Sequence, residues 1–154
     1  MKILRELNKY NIISFDIFDT LLLRTVANSR DVFEEVWEQA GDIKLTDISK
    51  KEFMKLRMEM ERRARNNKKE FNREVTLSDI YSEFPKFIVS DIEKLERLEV
   101  ETEKRVCYRN DFMWEVVKRL SKAGKKLVLL SDMYLEKADL VDILKANGID
   151  TSIF

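Results

Sequence analysis

Asn11-Ile12-Ile13-Ser14-Phe15-Asp16-Ile17-Phe18-Asp19-Thr20-Leu21-Leu22 is an apolar run that ends abruptly in an acid and then in an Asp-Thr pair. A buried strand that delivers a carboxylate at its carboxyl end is how open α/β sheets present a reactive group to a crevice. A second run of the same shape lies far downstream: Lys126-Leu127-Val128-Leu129-Leu130 is short and apolar, and it ends in Ser131-Asp132-Met133-Tyr134. Either run alone fits an ordinary core strand with a polar end. Together, in this order, they predict neighbouring parallel strands, about 11–16 and 126–131, that converge on one ligand.

Between the runs, start signals and 3.6-residue periodicity predict helices. Asn28 or Ser29 precedes a segment from about Asp31 to Ala40 with Val32, Phe33, Val36, Trp37 and Ala40 on one stripe, stopped at Gly41. Ser49-Lys50-Lys51-Glu52 has the form of a capping box and opens a long helix whose stripe is Phe53, Leu56, Met60 and Ala64. Thr76-Leu77-Ser78-Asp79 opens a short helix ended by Pro85, and Ser90-Asp91-Ile92-Glu93 opens another through Ile92, Leu95, Leu98 and Val106. Beyond these, Asn110 or Asp111 begins a helix with Phe112, Met113, Val116, Val117 and Leu120 inward, closed by Gly124. A last helix from about Leu135 carries Ala138, Val141, Ile143 and Leu144 and is closed by Gly148. The fold class is α/β, with a core from 1–24 and 108–154 and a helical insert over 25–107.

At this point the residues carry a family resemblance. Asp16-Ile17-Phe18-Asp19-Thr20 after an apolar strand resembles the first motif of the haloacid dehalogenase-like (HAD) hydrolases, and the run ending in Ser131-Asp132-Met133-Tyr134 resembles their second. The separation suits a member with a helical cap inserted after the first strand, so the resemblance spans essentially the whole chain. It implies a partial Rossmannoid core and a carboxylate nucleophile, Asp16, that attacks a phosphoryl group or an activated carbon through a covalent intermediate. It further implies Mg2+, held by Asp16 and the backbone carbonyl of Phe18, with Thr20, Ser131 and Asp132 around the phosphoryl oxygens. The substrate implied is a small phosphorylated metabolite.

The departures from the family pattern matter as much. Its phosphatases place a second Asp two residues after the nucleophile, where this chain has Phe18 and puts Asp19 one position later. Residues two apart in an extended segment share a face and residues three apart do not, so Asp19 takes the acid/base role only where the chain turns sharply. Dehalogenase and phosphonatase branches lack that second Asp, which leaves carbon–halogen or carbon–phosphorus chemistry open. Family members also continue with a lysine and an acidic pair, whereas this chain reaches Ile153-Phe154 as a third strand is expected to begin, and Lys137 reads as a solvated helix residue. The core is therefore expected to be incomplete, its open sheet edge covered by a helix, by a second copy or by a longer parent chain. Beside the phosphatase reading stand a catalytically silent HAD-like interaction or regulatory module and, last, a receiver-type domain phosphorylated on Asp16.

Composition narrows the field. The 154 residues carry 29 Lys and Arg against 29 Asp and Glu, so no net field favours nucleic acid or an anionic membrane. No apolar run approaches the ~20 residues of a membrane span, and the early charges Lys2, Arg5 and Glu6 do not suit a signal peptide. The cytoplasm is the expected compartment. Cys107 is the sole cysteine and histidine is absent, which excludes an intrachain disulfide, Ser-His-Asp catalysis and His-ligated zinc.

Charge is nevertheless segregated within the insert. Residues 50–73 carry ten Lys or Arg against four Glu, and residues 91–103 carry six acids against two bases. Such opposite fields favour packing the two helices side by side, with a nucleic-acid or phosphate grip by the basic helix as the alternative. Arg57, Glu61 and Arg65 fall at i, i+4 and i+8 on one flank, a spacing that resembles an Arg and Glu pattern in cap helices of one HAD branch. That resemblance would carry Arg57 or Arg65 over the cleft to a substrate anion; the alternative is an ordinary salt-bridged face. Arg24 is a similar candidate, with pairing to Glu99 or Glu103 as its alternative.

Overall fold

In the computed structural model, which describes residues 2–43, 48–69 and 74–154, the strands are β1 (Ile12–Asp16), β2 (Leu22–Arg24), β3 (Cys107–Arg109) and β4 (Lys126–Leu130). The helices are α1 (Lys2–Leu7), α2 (Val32–Gln39), α3 (Lys50–Lys69), α4 (Leu77–Ser82), α5 (Ile92–Val106), α6 (Asp111–Lys122) and α7 (Lys137–Ala146). They divide into two compact units. One comprises Met1–Thr25, Cys107–Met133 and Leu140–Phe154, and the other Val26–Val106 with Tyr134–Asp139. The segment Tyr134–Asp139, expected within the core stretch 108–154, thus belongs with the helices.

In the strand-bearing unit β1 and β4 pair in parallel, from Ile12 opposite Lys126 to Asp16 opposite Leu130. The two strands read from the sequence are therefore neighbours in one small parallel sheet. Ile13, Phe15 and Leu127 point into the core, whereas Ile12 is 61% and Leu130 58% exposed, so one face of the pair is open to solvent. Continuous apolar runs predict burial on both faces; here β1 alternates instead. A second sheet went unread: β2 and β3 pair antiparallel, with Leu22 opposite Arg109 and Arg24 opposite Cys107. Both strands are three residues long, too short to show a period.

Asn110 caps α6, its Oδ1 accepting from the Met113 N–H at 3.3 Å. This helix buries Trp114, Val116, Val117 and Leu120. Phe112, expected on the inner stripe, is 58% exposed. Gly124 closes the helix at φ +73°, a conformation easy only for glycine. Gly148 does the same after α7 at φ +70°. The third strand expected near the carboxyl end is instead a 3-10 turn, Thr151–Ile153, capped by Asp150, and Phe154 meets Phe15 edge to face at 6.5 Å.

The helical unit follows its start signals closely. Ser49 and Glu52 exchange hydrogen bonds at the head of α3, and Thr76 and Asp79 form the capping box of α4. The cap of α5 is Asp91 rather than Ser90, its Oδ1 accepting from the Lys94 N–H at 3.1 Å. Helices α2 and α4 each pack against both α3 and α5, and α3 meets α5 directly through Arg57 and Glu99. The inner faces also differ from the apolar stripes. On α3, Arg57 is buried with Phe53, Met60 and Ala64, and on α5, Glu99, Thr102 and Glu103 are buried with Leu95 and Val106. Leu56 and Leu98 sit half-buried where full burial was expected. Among the described residues no helix is long and apolar enough to cross a membrane.

Candidate active site

The site is built on the carboxyl ends of β1 and β4. Because Asp16 pairs with Leu130, the strands end together, and the residues that follow, Ile17 onward and Ser131 onward, leave the sheet at one edge. Asp16 is exposed there, and the Thr20 hydroxyl donates to its Oδ2 at 3.3 Å.

After Asp16 the chain turns sharply. The N–H groups of Leu21 and Leu22 both donate to the Ile17 carbonyl at 2.9 Å, and Asp19 adopts φ +54°. That left-handed conformation costs an ordinary L-residue about 1–2 kcal/mol and is tolerated best, after glycine, by Asn and Asp. The turn is the condition on which an acid/base role for Asp19 depended. Its Oδ2 lies 3.4 Å from Arg24 Nη1, with Asp19 77% exposed and Arg24 only 5%. The Arg24 guanidinium also stacks over the Phe18 ring at 4.5 Å. Asp16, Thr20, Asp19, Phe18 and Arg24 are thereby joined in one turn and the strand that follows it.

Asn110 supports this turn from α6. Its Nδ2 donates to the Thr20 carbonyl at 3.0 Å and its N–H to the Leu21 carbonyl at 2.8 Å. Sequence reasoning read Asn110 only as a helix start; the capping signal that found it carries no mark of the second task. On the β4 side, Ser131 Oγ accepts from the Met133 N–H at 3.2 Å and Asp132 is exposed.

Two expected site residues lie elsewhere, in the helical unit. Arg65 pairs with Glu61 at 2.8 Å on an exposed face of α3. Arg57 is not on a solvent-facing flank: it is fully buried, with Nε and Nη2 each 2.7 Å from the two oxygens of Glu99. The Tyr81 and Tyr134 hydroxyls donate to the same carboxylate at 2.6 and 3.0 Å. Around the guanidinium stand the rings of Phe33, Tyr134 and Tyr81 at 4.7, 4.9 and 5.6 Å. Burial by itself would lower the Arg57 pKa, but the Glu99 charge and hydrogen bonds outweigh it and hold that pKa well above its usual value. Burial, then the Glu99 charge, push both tyrosine hydroxyls well above the usual range. The cause is physical: a guanidinium matched by three rings and a bidentate carboxylate, itself accepting from two hydroxyls, is better solvated inside than a lone arginine would be.

Among the described residues no group of three Asp, Glu, His or Cys side chains is placed to hold a metal ion. Magnesium, however, keeps several waters and takes only one or two protein carboxylates. No protein-family model matches the chain, and a search of curated proteins finds no match to it.

Proposed function

We propose that the β1/β4 edge is a phosphoryl-transfer site of the HAD-like hydrolase type, acting on a small phosphate ester. The observation that carries this reading is the parallel register that ends Asp16 and Leu130 together, so that Asp16 and Ser131 emerge at one edge. With Oδ2 accepting from Thr20, Asp16 attacks phosphorus through Oδ1. The new P–O bond forms as the ester P–O bond breaks, and the leaving oxygen takes a proton for which Asp19 is the nearest acid in sequence. Water then attacks phosphorus and gives its proton to the Asp19 carboxylate as the Asp16–phosphorus bond breaks, which releases phosphate and the Asp16 carboxylate. Ser131 and Thr20 offer hydroxyls to the phosphoryl oxygens, and Arg24 offers positive charge beside them. Asp16 and the Phe18 carbonyl would hold Mg2+, which would neutralise charge between the carboxylate and the phosphoryl group.

The experiment is incubation with acetyl phosphate and Mg2+, followed by intact-mass detection of a hydroxylamine-labile phosphoryl adduct. We expect the adduct in the native chain and its loss in Asp16→Asn. An adduct that survives the substitution, or neither adduct nor phosphate release, overturns the reading. A second reading, a catalytically silent HAD-like module, would be supported by absence of both adduct and turnover, including dehalogenation.

A further inference from the structure

β3 hands the chain to α6 beside the turn that follows Asp16, and all of these segments belong to the strand-bearing unit. Because Leu22 stands opposite Arg109, the next rung falls on Leu21 and Asn110, and the Asn110 N–H donates to the Leu21 carbonyl at 2.8 Å. The Asn110 side chain then works in two directions. Its Oδ1 accepts from the Met113 N–H at 3.3 Å, and its Nδ2 donates to the Thr20 carbonyl at 3.0 Å. Only one setting of the amide satisfies both: turned over, its oxygen would meet the Thr20 carbonyl and its NH2 the Met113 N–H. One residue thus holds two consecutive carbonyls of the turn, and the first of them belongs to the threonine whose hydroxyl donates to Asp16 Oδ2 at 3.3 Å.

We infer that Asn110 is a positioning residue for Asp16: by holding the Thr20 peptide with its side-chain amide, it directs the Thr20 hydroxyl onto Oδ2 and leaves Oδ1 as the attacking atom. This rests on the reading of Asp16 as the phosphoryl acceptor and deepens it. A carboxylate at an exposed strand end turns about its last bond, a broad torsion with two equivalent settings. A hydrogen bond to one oxygen makes the two distinct, provided that the donor is itself fixed. The turn alone is a poor support for that donor, since Asp19 beside it holds φ +54°, which is unfavourable for an L-residue. Asn110 supplies the restraint from outside the turn, so that the carboxylate meets phosphorus without reorganising. Capping α6 does not by itself call for asparagine, because aspartate and serine cap equally well. What asparagine adds over aspartate is an N–H donor beside the acceptor.

Asn110→Asp separates the two tasks. Its carboxylate keeps an acceptor for the Met113 N–H and sets a second oxygen, in place of the donor, against the Thr20 carbonyl. Asn110→Ser, a cap with a shorter side chain and no amide, is the second variant. Three-bond couplings across the Thr20 Cα–Cβ bond read its rotamer with no substrate present. They should report one rotamer in the native chain and an average of several in both variants. Exchange at the Leu21 and Leu22 amides should rise about tenfold, the upper effect of losing one neutral hydrogen bond. The Met113 amide should stay protected, which reports that the cap and the fold are intact. A single Thr20 rotamer that persists in both variants overturns the inference.

The rate of adduct formation from acetyl phosphate should fall about tenfold in Asn110→Asp and at least as far in Thr20→Val. Because Asn110 acts through the threonine hydroxyl, the double variant should be no slower than Thr20→Val alone. Rate losses that multiply in the double variant overturn the inference and leave Asn110 a structural residue. An averaged Thr20 rotamer in the variants, with neither adduct nor phosphate release from the native chain, sustains the restraint on Thr20 and overturns only phosphoryl transfer.

Discussion

Asp16 and Glu99 are both acids that follow or interrupt apolar patterns, and they meet opposite fates. Asp16 stands exposed at a strand end with a hydroxyl at 3.3 Å, whereas Glu99 is fully buried and accepts from Arg57, Tyr81 and Tyr134 at 2.6 to 3.0 Å. A carboxylate that keeps its water exchanges that water for a ligand at little cost. One surrounded by donors in a dry interior has nothing left to exchange, and its charge serves only to orient what surrounds it. Charge near a sequence motif is therefore a poor guide to chemistry until the number of its partners is known.

The sharpest way to break the comparison is to remove one partner from the buried cluster. Arg57→Met should cost about 3–5 kcal/mol in denaturant unfolding, because Glu99 is left buried without its countercharge. Adding Glu99→Leu should recover much of that loss; failure to recover any would mean that the tyrosines, not the ion pair, set the cost.

Alkaline titration tests the same cluster without mutation. The hydroxyls of Tyr81 and Tyr134 have folded pKa values raised above those of the unfolded chain. Their contribution is thus fully present below about pH 10, the unfolded value, and is lost as pH rises through the folded values. Stability measured by urea unfolding should fall above about pH 10, and Tyr81→Phe combined with Tyr134→Phe should flatten that fall.

At the strand edge the expected effects are smaller. Asn110→Ala removes both the cap of α6 and the bond to the Thr20 carbonyl and should cost about 1–2 kcal/mol. Asp16→Asn should change stability by no more than about 0.5 kcal/mol, as for other exposed positions. A loss from Asp16→Asn as large as that from Arg57→Met would erase the contrast between the two regions.

The parts legible in the sequence were those with a local physical signature. β1 and β4 announced themselves by apolar runs with polar ends, α3 and α4 by Ser49/Glu52 and Thr76/Asp79, and the ends of α6 and α7 by Gly124 and Gly148. Illegible were the features that exist only through distant partners. Leu22–Arg24 becomes a strand because Cys107–Arg109 lies beside it, and three residues show no period. Arg57 read as a cleft or salt-bridged flank residue and Glu99 as a partner for Arg24, because charged residues are mostly exposed, and only their mutual pairing reverses that rule. The turn at Asp19 has no local signature, since nothing in Phe18-Asp19-Thr20 demands a positive φ.

The pairing of Ile12 with Lys126 joins positions 114 apart in the chain (126 − 12). Closing so long a segment as free coil is slow, since its entropy must be surrendered before any strand contact rewards it. The helices between meet one another across shorter separations than the strands do, and once formed they shorten the effective path between the strands. Folding should therefore run from the middle outward, with amides of α3 and α5 protected in pulse-labelled exchange before those of β1 and β4. The segment that separates the two halves of the candidate active site would then be what brings them together in time.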